Sequence, residues 1–325
     1  MFEVEAFAGV NFAVRPVLES LFNMLGGLGL FLFGVREMTQ SFAGVSSSLF
    51  RGMISKVACN KYMAAFVGFA VTAVVQSSSA VTVIVIGLLD ARLLELAQAA
   101  AIIMGANVGT TVTPLIMAIN LLEFAPLIIF GGMVLEGLNE EAFKAAGRVL
   151  IGFGVLFLGM NMISCAARPI STLPVVREFL VSLSNPFIGV LFGVTFTAIM
   201  QSSSVSMGLL EALNLAGAIS FRNAAFIIYG QNIGTCVTAL IASFETRKNA
   251  KRAVVIHFLF NLIGAAIFTC LSLMTPFLRV FEAAFAQSVM FKISALHILF
   301  NVVSTAILLP FSDALVKIAC KAVSN

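Results

Sequence analysis

Long apolar runs alternate with short polar connections along the whole chain. Several runs reach the roughly 20 residues that an α-helix needs to cross about 30 Å of hydrocarbon; they include 19–38 and 93–118, with a shorter one at 124–138. Because each run is apolar over its full length and not along one stripe only, the pattern is typical of helices in lipid. It predicts an all-α integral membrane protein.

Two apolar runs are interrupted by polar residues near their middle. Residues 62–89 carry the motif QSSS at 76–79, and residues 187–212 carry it again at 201–204. A straight helix over 62–89 would be about 40 Å long. It would also strand four polar side chains at the bilayer centre, where lipid offers no hydrogen bonds. We therefore predict two re-entrant helical hairpins, each with QSSS at its tip.

Three different motifs recur along the chain at one common offset of 125 residues. They are GLGLFLFG and GFGVLFLG at 27–34 and 152–159, QSSS at 76–79 and 201–204, and GANVGT and GQNIGT at 105–110 and 230–235. Chance does not hold three kinds of motif in register without an insertion, so the chain is predicted to be an internal duplication. No strand precedes the glycine runs and no phosphate-loop lysine follows them, so we assign them to close helix packing.

The duplication divides one transmembrane domain into segments. We assign 1–18 to an N-terminal tail, 19–145 to the first repeat, 146–275 to the second and 276–325 to a C-terminal helical segment. Glu3 precedes the first apolar run and no basic cluster does, which is not the pattern of a cleaved signal peptide.

Membrane crossings and charge predict that the second repeat is inverted. If the QSSS hairpin is re-entrant, the first repeat crosses at 19–38, 93–118 and 124–138, and an odd number of crossings inverts the second repeat. Cytoplasmic loops are enriched in Lys and Arg. Inversion places 13 basic residues inside: Arg36, Arg51, Lys56, Lys61, Arg92, Lys144, Arg148, Arg247, Lys248, Lys251, Arg252, Lys317 and Lys321. It places six outside: Arg15, Arg168, Arg177, Arg222, Arg279 and Lys292.

Composition supports the membrane assignment and excludes other classes. Hydrophobic residues make up 60% of the chain and charged residues 10%, and the mean hydropathy is +1.06. The net charge of +4 is spread between apolar runs, so nucleic-acid binding is not indicated. The five cysteines form no CxxC pair, so neither a disulfide framework nor a zinc site is predicted.

The duplicated motifs contain the chemistry of an anion site beside a cation site. Each serine triplet is expected to open a half-helix, where free N–H groups, hydroxyls and the positive dipole end suit an oxyanion. Amide and hydroxyl oxygens suit a hard cation; here they belong to Gln76, Asn107, Thr110, Thr111, Gln201, Asn232 and Thr235. Both together indicate cotransport.

The duplicated QSSS motifs, each followed at the same distance by GANVGTT or GQNIGTC, resemble the sodium/phosphate cotransporter family, over residues 20–312. The resemblance implies a multi-pass secondary transporter of the cytoplasmic membrane, not an enzyme, that takes up inorganic phosphate with sodium. It implies phosphate contacts at Ser77, Ser78, Ser79, Ser202, Ser203 and Ser204, with the glutamines and the NxGT segments at sodium sites. No cofactor is expected, sodium ions serve as coupling ions, lipid surrounds the protein, and no oligomeric state is indicated.

Alternatives remain open at this point. A passive anion channel, or a carrier of sulfate or arsenate with different coupling, would also use hydroxyls and helix N-termini. An intramembrane serine hydrolase using His257 or His297 is disfavoured because the GxSxG elbow is missing. We assign both histidines, each followed by Phe and Asn, to interhelical hydrogen bonding, and Glu211 to either function or the hairpin base. Sliding of a hairpin-bearing unit and rocking of the two halves are equally compatible with the sequence.

Overall fold

The computed structural model describes residues 16–41, 60–119, 121–286 and 288–324, and its regular structure over these ranges is helical. Residues 1–15 of the predicted N-terminal tail lie outside the described part. The α-helices are α1 Pro16–Ser41, α2 Lys61–Val75, α3 Ser78–Asp90, α4 Leu96–Thr110, α5 Val112–Met117, α6 Ala125–Glu136, α7 Glu141–Ser171, α8 Pro174–Ser182, α9 Pro186–Met200, α10 Ser203–Leu215, α11 Phe221–Gly234, α12 Cys236–Ala242, α13 Lys248–Met274, α14 Phe277–Ala284, α15 Val289–Leu308 and α16 Ser312–Ala322.

Six helical segments of the described chain are long and apolar enough to cross a membrane. They are α1, α4 with α5, α7, α11 with α12, α13 and α15. Large apolar side chains are exposed on these helices, for example Phe22 and Leu25 on α1, which are 71% and 65% exposed. Such surfaces are stable only against lipid or protein. The all-α membrane fold predicted from the apolar runs is therefore confirmed.

The crossing expected at 124–138 is not a full one. Its helix, α6, has 12 residues, or about 18 Å, because Glu136 is followed by a polar turn that leads into α7. Gly132 of α6 packs against the backbone of α7, where an added Cβ would lie 2.7 Å from the Gly147 carbonyl oxygen. The number of crossings alone therefore no longer decides the orientation of the second repeat.

Both predicted breaks occur at the QSSS motifs. Helix α2 ends at Val75 and α3 begins at Ser78, while α9 ends at Met200 and α10 begins at Ser203. The residue after each first helix is a glutamine in the left-handed region, with φ of 58° at Gln76 and 52° at Gln201. Each serine triplet thus opens a helix, as the sequence predicted.

Glycines set the contact between α2 and α4. A Cβ on Gly105 would overlap the carbonyl oxygen of Ala65, and a Cβ on Gly68 would overlap that of Ile102. Cβ atoms lean toward the N-terminus of their own helix. With this lean, the two contacts require α2 and α4 to run parallel, with Gly68 and Gly105 at the same height along the helices. The second repeat copies this geometry at the 125-residue offset between α9 and α11, where Gly193 and Gly230 meet Ile227 and Val190 carbonyls.

Four glycines of the two GxGxxxxG runs, Gly27, Gly34, Gly152 and Gly159, form a close helix contact, and the two runs meet each other. On α1, a Cβ on Gly27 would lie 2.9 Å from the Gly159 carbonyl oxygen of α7. On α7, a Cβ on Gly152 would lie 2.7 Å from the Gly34 carbonyl oxygen of α1. The helices are therefore antiparallel, and residues that correspond in the two repeats exchange contacts.

The chain divides into two compact units that do not follow the repeat boundaries. Among the described residues, one contains 16–41, 121–184 and 208–220, and its packing is between α1, α6 and α7. The other contains 42–119, 185–207 and 221–325, with a core built on α2, α3, α4 and α13. Each unit draws segments from both repeats.

The α2–α4 contact predicts a steric test. Replacing Gly105 with alanine places a methyl group on the Ala65 carbonyl, so the two helices must separate, at a cost of about 1–3 kcal/mol or more. We expect a lower melting temperature in detergent for Gly105→Ala. Gly87→Ala is the control, because a Cβ there meets nothing within 4 Å; equal melting temperatures for both variants would contradict the packing.

The left-handed glutamines predict a second test of stability. Glycine adopts positive φ without strain, whereas a β-branched residue is a genuine outlier there. Both Gln76→Gly and Gln76→Val remove the hydrogen bonds of the side chain, so the two variants are compared with each other, and we expect Gln76→Gly to melt above Gln76→Val. The same order should hold at Gln201. A valine variant as stable as the glycine variant would show that the break has a different backbone.

Candidate functional site

The predicted site residues all lie in the second compact unit. They occupy two kinds of position, each present once per repeat. The serine triplets stand at the N-termini of α3 and α10, and the NxGT segments stand where α4 passes into α5 and α11 into α12. The geometry of each kind depends on a local hydrogen-bond pattern.

Both serine triplets make the same N-terminal cap. The Ser77 hydroxyl oxygen accepts the Ala80 N–H at 3.2 Å, and the Ser202 hydroxyl oxygen accepts the Val205 N–H at 3.3 Å. The cap satisfies one of the orphan N–H groups of the first turn and leaves those of the next two serines without an intrahelical acceptor. These N–H groups, the hydroxyls and the helix dipole form a neutral donor set for an anion.

The two glutamines differ in their surroundings. Gln76 is half-buried: its Oε1 accepts the hydroxyl of Thr113 on α5, and its Nε2 donates to the Ala73 carbonyl. Gln201 is exposed. The amide oxygen of Gln76 is thereby held against α5 just beyond the first NxGT segment.

One hydrogen bond joins the two repeats at these motifs. The Thr238 hydroxyl on α12 donates to the Thr235 carbonyl at 3.0 Å, and its oxygen lies within hydrogen-bond distance of the Ser79 hydroxyl oxygen, at 3.3 Å. Ser79 belongs to the first serine triplet, and Thr235 closes the second NxGT segment. The anion-type donors of one repeat therefore lie beside the cation-type oxygens of the other.

The NxGT side chains are oriented by their own helices in both repeats. Asn107 and Asn232 donate their amide N–H groups to the carbonyls of Ile103 and Ile228, at 3.0 and 2.8 Å. The donation fixes which end of the amide points away from the helix, so Oδ1 is the atom presented to the surroundings. Both asparagines are at most 5% exposed.

The threonine hydroxyls also donate to carbonyls of their own helix. Thr110 donates to the Ala106 carbonyl at 3.1 Å, Thr235 to that of Gln231 at 3.0 Å, and Thr111 to that of Val108 at 2.7 Å. A hydroxyl that gives its hydrogen to its own helix offers only lone pairs to anything else. The segments therefore present oxygen acceptors, the ligands that hard cations prefer.

A proline makes the first NxGT segment richer in acceptors than the second. Helix α4 ends at Thr110, and Pro114 in α5 has no N–H for the carbonyl four residues earlier, which is that of Thr110. At the matching position of the second repeat stands Ala239, and Cys236 replaces Thr111. The two segments are not equivalent, as the sequence predicted from the cysteine.

Residues that sequence reasoning missed lie on α5, α12, α13 and α15. Thr113 and Thr238 share the 125-residue offset, which was the available signal. Asn261 and Asn301 lie in the HxxFN pairs, which are offset by 40 residues, and each donates to the carbonyl of the histidine four residues earlier. All four side chains of these pairs are at most 2% exposed.

The two histidines and Glu211 are buried ionisable residues. Among the described residues, Nδ1 of His257 and Nδ1 of His297 have no hydrogen-bond partner, so these atoms do not make the interhelical bonds we expected. Glu211 is fully buried on α10. No group of three or more His, Cys, Asp or Glu side chains that could hold a metal occurs within the described ranges.

Comparison with curated proteins finds related bacterial chains. The "Putative inorganic phosphate export protein YjbB" of Escherichia coli strain K12 is 29% identical over 309 residues, which is 94% of this chain and 56% of the relative. The chain thus spans about half the length of that relative. The "Uncharacterized protein YqeW" of Bacillus subtilis strain 168 is 29% identical over 285 residues, 87% of this chain and 92% of the relative.

More distant similarity extends to animals. The human "Sodium-dependent phosphate transport protein 2B" is 27% identical over 161 residues, 46% of this chain and 23% of that protein. No solved structure matches the chain. The model of the Na+/Pi-cotransporter family matches residues 30–165 and 174–323, which together are most of the chain. On this match the chain belongs to the Na+/Pi-cotransporter family.

Proposed function

We propose that the protein is a secondary active transporter that carries inorganic phosphate and sodium together across the cytoplasmic membrane by alternating access. The observation that carries the proposal is the hydrogen bond between Ser79 and Thr238, because it ties an anion-type serine triplet to the helix that begins directly after the cation-type NxGT segment of the other repeat. Family membership supports the same substrates.

The phosphate part rests on the two capped helix starts. Ser77 and Ser202 use their hydroxyls as caps, so Ser78, Ser79, Ser203 and Ser204 keep N–H donors for a ligand. The hydroxyls of Ser78, Ser203 and Ser204 add O–H donors, whereas that of Ser79 is engaged with Thr238. Neutral donors at a helix N-terminus bind an oxyanion without a permanent counter-charge. Such an arrangement permits binding and release in every transport cycle.

The sodium part rests on the acceptor oxygens. Gln76, Asn107, Thr110, Thr111, Gln201, Asn232 and Thr235 are neutral, and a cation bound among their oxygens would lower the cost of placing an anion nearby in a medium of low dielectric constant. Occupancy of the two sites would then be coupled, and the carrier would move when empty or fully loaded.

The direction of transport is set by the sodium and phosphate gradients and not by the binding site. A symporter runs whichever way the sum of the sodium and phosphate gradients favours. With sodium high outside, the protein would take up phosphate; the export function in the name of YjbB would be the same cycle running in reverse.

Contacts at the two ends of the first hairpin, α2 and α3, support a re-entrant path. Lys61 at the start of α2 pairs with Asp313 at the start of α16 over 3.7 Å. The other end of α16 meets α13, where Arg252 donates to a carbonyl just after the helix. Asp90, which ends α3, accepts the Arg247 N–H next to α13 at 2.6 Å. These contacts connect both ends of the hairpin to α16 and to the start of α13, which supports a reversal of the chain between α2 and α3. The parallel direction of α2 and α4 supports the same reversal.

Inversion of the repeats is supported by α1 and α7. Gly27 meets Gly159 and Gly152 meets Gly34, so residue i of one repeat contacts residue j of the other and the reverse also holds. Reciprocal contacts of this kind are the signature of a two-fold axis. Since α1 and α7 are antiparallel, the axis lies across the helices, as it does in inverted-repeat transporters.

Uptake into proteoliposomes tests the function. We expect saturable accumulation of radiolabelled phosphate under an inward sodium gradient, no accumulation with potassium in its place, and none in a Gln76→Ala, Gln201→Ala double mutant. Ser78→Ala or Ser203→Ala should raise the KM for phosphate about 10-fold or more, the loss of one hydrogen bond to a charged group.

Ser206→Ala is the matched control, because Ser206 is also buried, one turn further along α10, and its KM should be unchanged. Sodium-independent flux would favour a channel, and a wild-type KM in both triplet variants would exclude the serines as phosphate ligands.

Thiol labelling tests the inverted topology. In a background without the five native cysteines, we expect Leu93→Cys and Arg247→Cys to react with an impermeant maleimide from the cytoplasmic side and Arg222→Cys from the outside. Parallel repeats would instead place residues 93 and 222 on one side and 247 on the other. All three positions are exposed, so an unreactive thiol is informative.

A further inference from the structure

Helix α15 lies antiparallel along α4 and α5. Near its start, the Ser294 hydroxyl donates to the Pro114 carbonyl at 2.9 Å; near its end, the Thr305 hydroxyl donates to the Met104 carbonyl at 3.3 Å. The donors are 11 residues apart and the acceptors 10, so the two helical segments stay level over this distance.

Asn301 faces the same way as these two anchors. It follows Ser294 by seven residues and precedes Thr305 by four, which is one face of a helix. Interpolation between the anchors places Asn301 opposite residues 107–108 of α4. It is fully buried, and its amide N–H donates to the His297 carbonyl at 2.9 Å. Its Oδ1 has no hydrogen-bond partner among the described residues.

The face of α4 and α5 opposite Asn301 presents further acceptors. Asn107 and Thr111 share that face with Met104, at spacings of three and seven residues. Both donate to their own helix and so present oxygen outward, and Pro114 leaves the Thr110 carbonyl without its helical donor. Buried acceptors grouped without donors are costly unless a positively charged or hydrogen-bonding ligand fills the space.

We propose that Asn301 Oδ1 is a ligand of a sodium site formed with Asn107, Thr110 and Thr111 of the first repeat. The proposal rests on the proposed function and deepens it, since it draws a ligand from the C-terminal segment outside the duplication. Each ligand is a neutral oxygen, which suits a hard monovalent cation and offers little to a soft one.

The second repeat lacks a comparable site. Cys236 stands in place of Thr111, and the amide N–H of Asn261 lies 3.4 Å from the Cys236 sulfur. Ala239 replaces Pro114, so the carbonyl four residues earlier keeps a helical donor. A sulfur ligand is a poor match for sodium. Asn261 Oδ1 also has no hydrogen-bond partner among the described residues, so the assignment to the first repeat rests on Thr111 and Pro114, which the second repeat replaces.

Sodium-dependent thermal stabilisation in detergent, without phosphate, tests the assignment independently of transport. Asn301→Leu keeps the volume and removes the oxygen, and we expect the sodium concentration for half-maximal stabilisation to rise at least 10-fold. Ser304→Ala is the matched control: Ser304 is equally buried on α15, three residues beyond Asn301, and approaches Gly264 of α13. Its half-maximal concentration should equal that of the wild type.

Asn301→Asp keeps the ligand oxygen and adds a negative charge, so at pH 8.5 we expect the half-maximal sodium concentration to fall several-fold. It tests the site even if the leucine variant does not fold. A wild-type sodium response in Asn301→Leu, or an unchanged one in Asn301→Asp, overturns the assignment.

A failure of the proposed function can be distinguished from a failure of the sodium-site assignment. Wild-type protein that sodium stabilises, but that carries no phosphate, would refute cotransport and leave the cation site standing.

Discussion

A membrane interior cannot hydrogen-bond the groups that a broken helix exposes, and this constraint governs the arrangement of the site. Each chain break at QSSS exposes first-turn N–H groups and last-turn carbonyls. Serine side chains satisfy part of that demand through the Ser77 and Ser202 caps, and the remainder is available for a ligand. The same reasoning applies at Thr110, where a proline frees a carbonyl. The predicted binding residues therefore coincide with places of incomplete backbone pairing.

Local features of the sequence predicted the breaks well. Four polar residues inside an apolar run are costly in any continuous helix, so residues 76–79 and 201–204 marked the helix ends to within two residues. The close packing of the glycine runs could also be predicted from the sequence, because glycines on a membrane helix let a neighbouring helix approach closely. The segment 124–138 was counted as a crossing although its 15 residues are fewer than a full crossing needs, and α6 is shorter still because the polar residues after Glu136 end the helix.

Contacts between distant segments were beyond sequence reasoning. Asn301 and Asn107 are 194 residues apart, and their relation depends on the register of α15 against α4, which only the anchors Ser294 and Thr305 define. Thr113 and Thr238 occupy matching positions, yet one bonds Gln76 in its own repeat and the other bonds Ser79 in the opposite one. Duplicated sequence therefore does not imply duplicated contacts.

The glycine contacts between α2 and α4 have a mechanical consequence. The two backbones are in direct contact, and any Cβ added at Gly105 would overlap the Ala65 carbonyl. This contact therefore has no side chain whose rotamer could change to let one helix slide past the other. Helices joined in this way move as one rigid lever. The arm that ends at Gln76 and the helix that carries Asn107 are therefore tied together, so any displacement of one helix would carry the other with it and leave the spacing of their side chains unchanged.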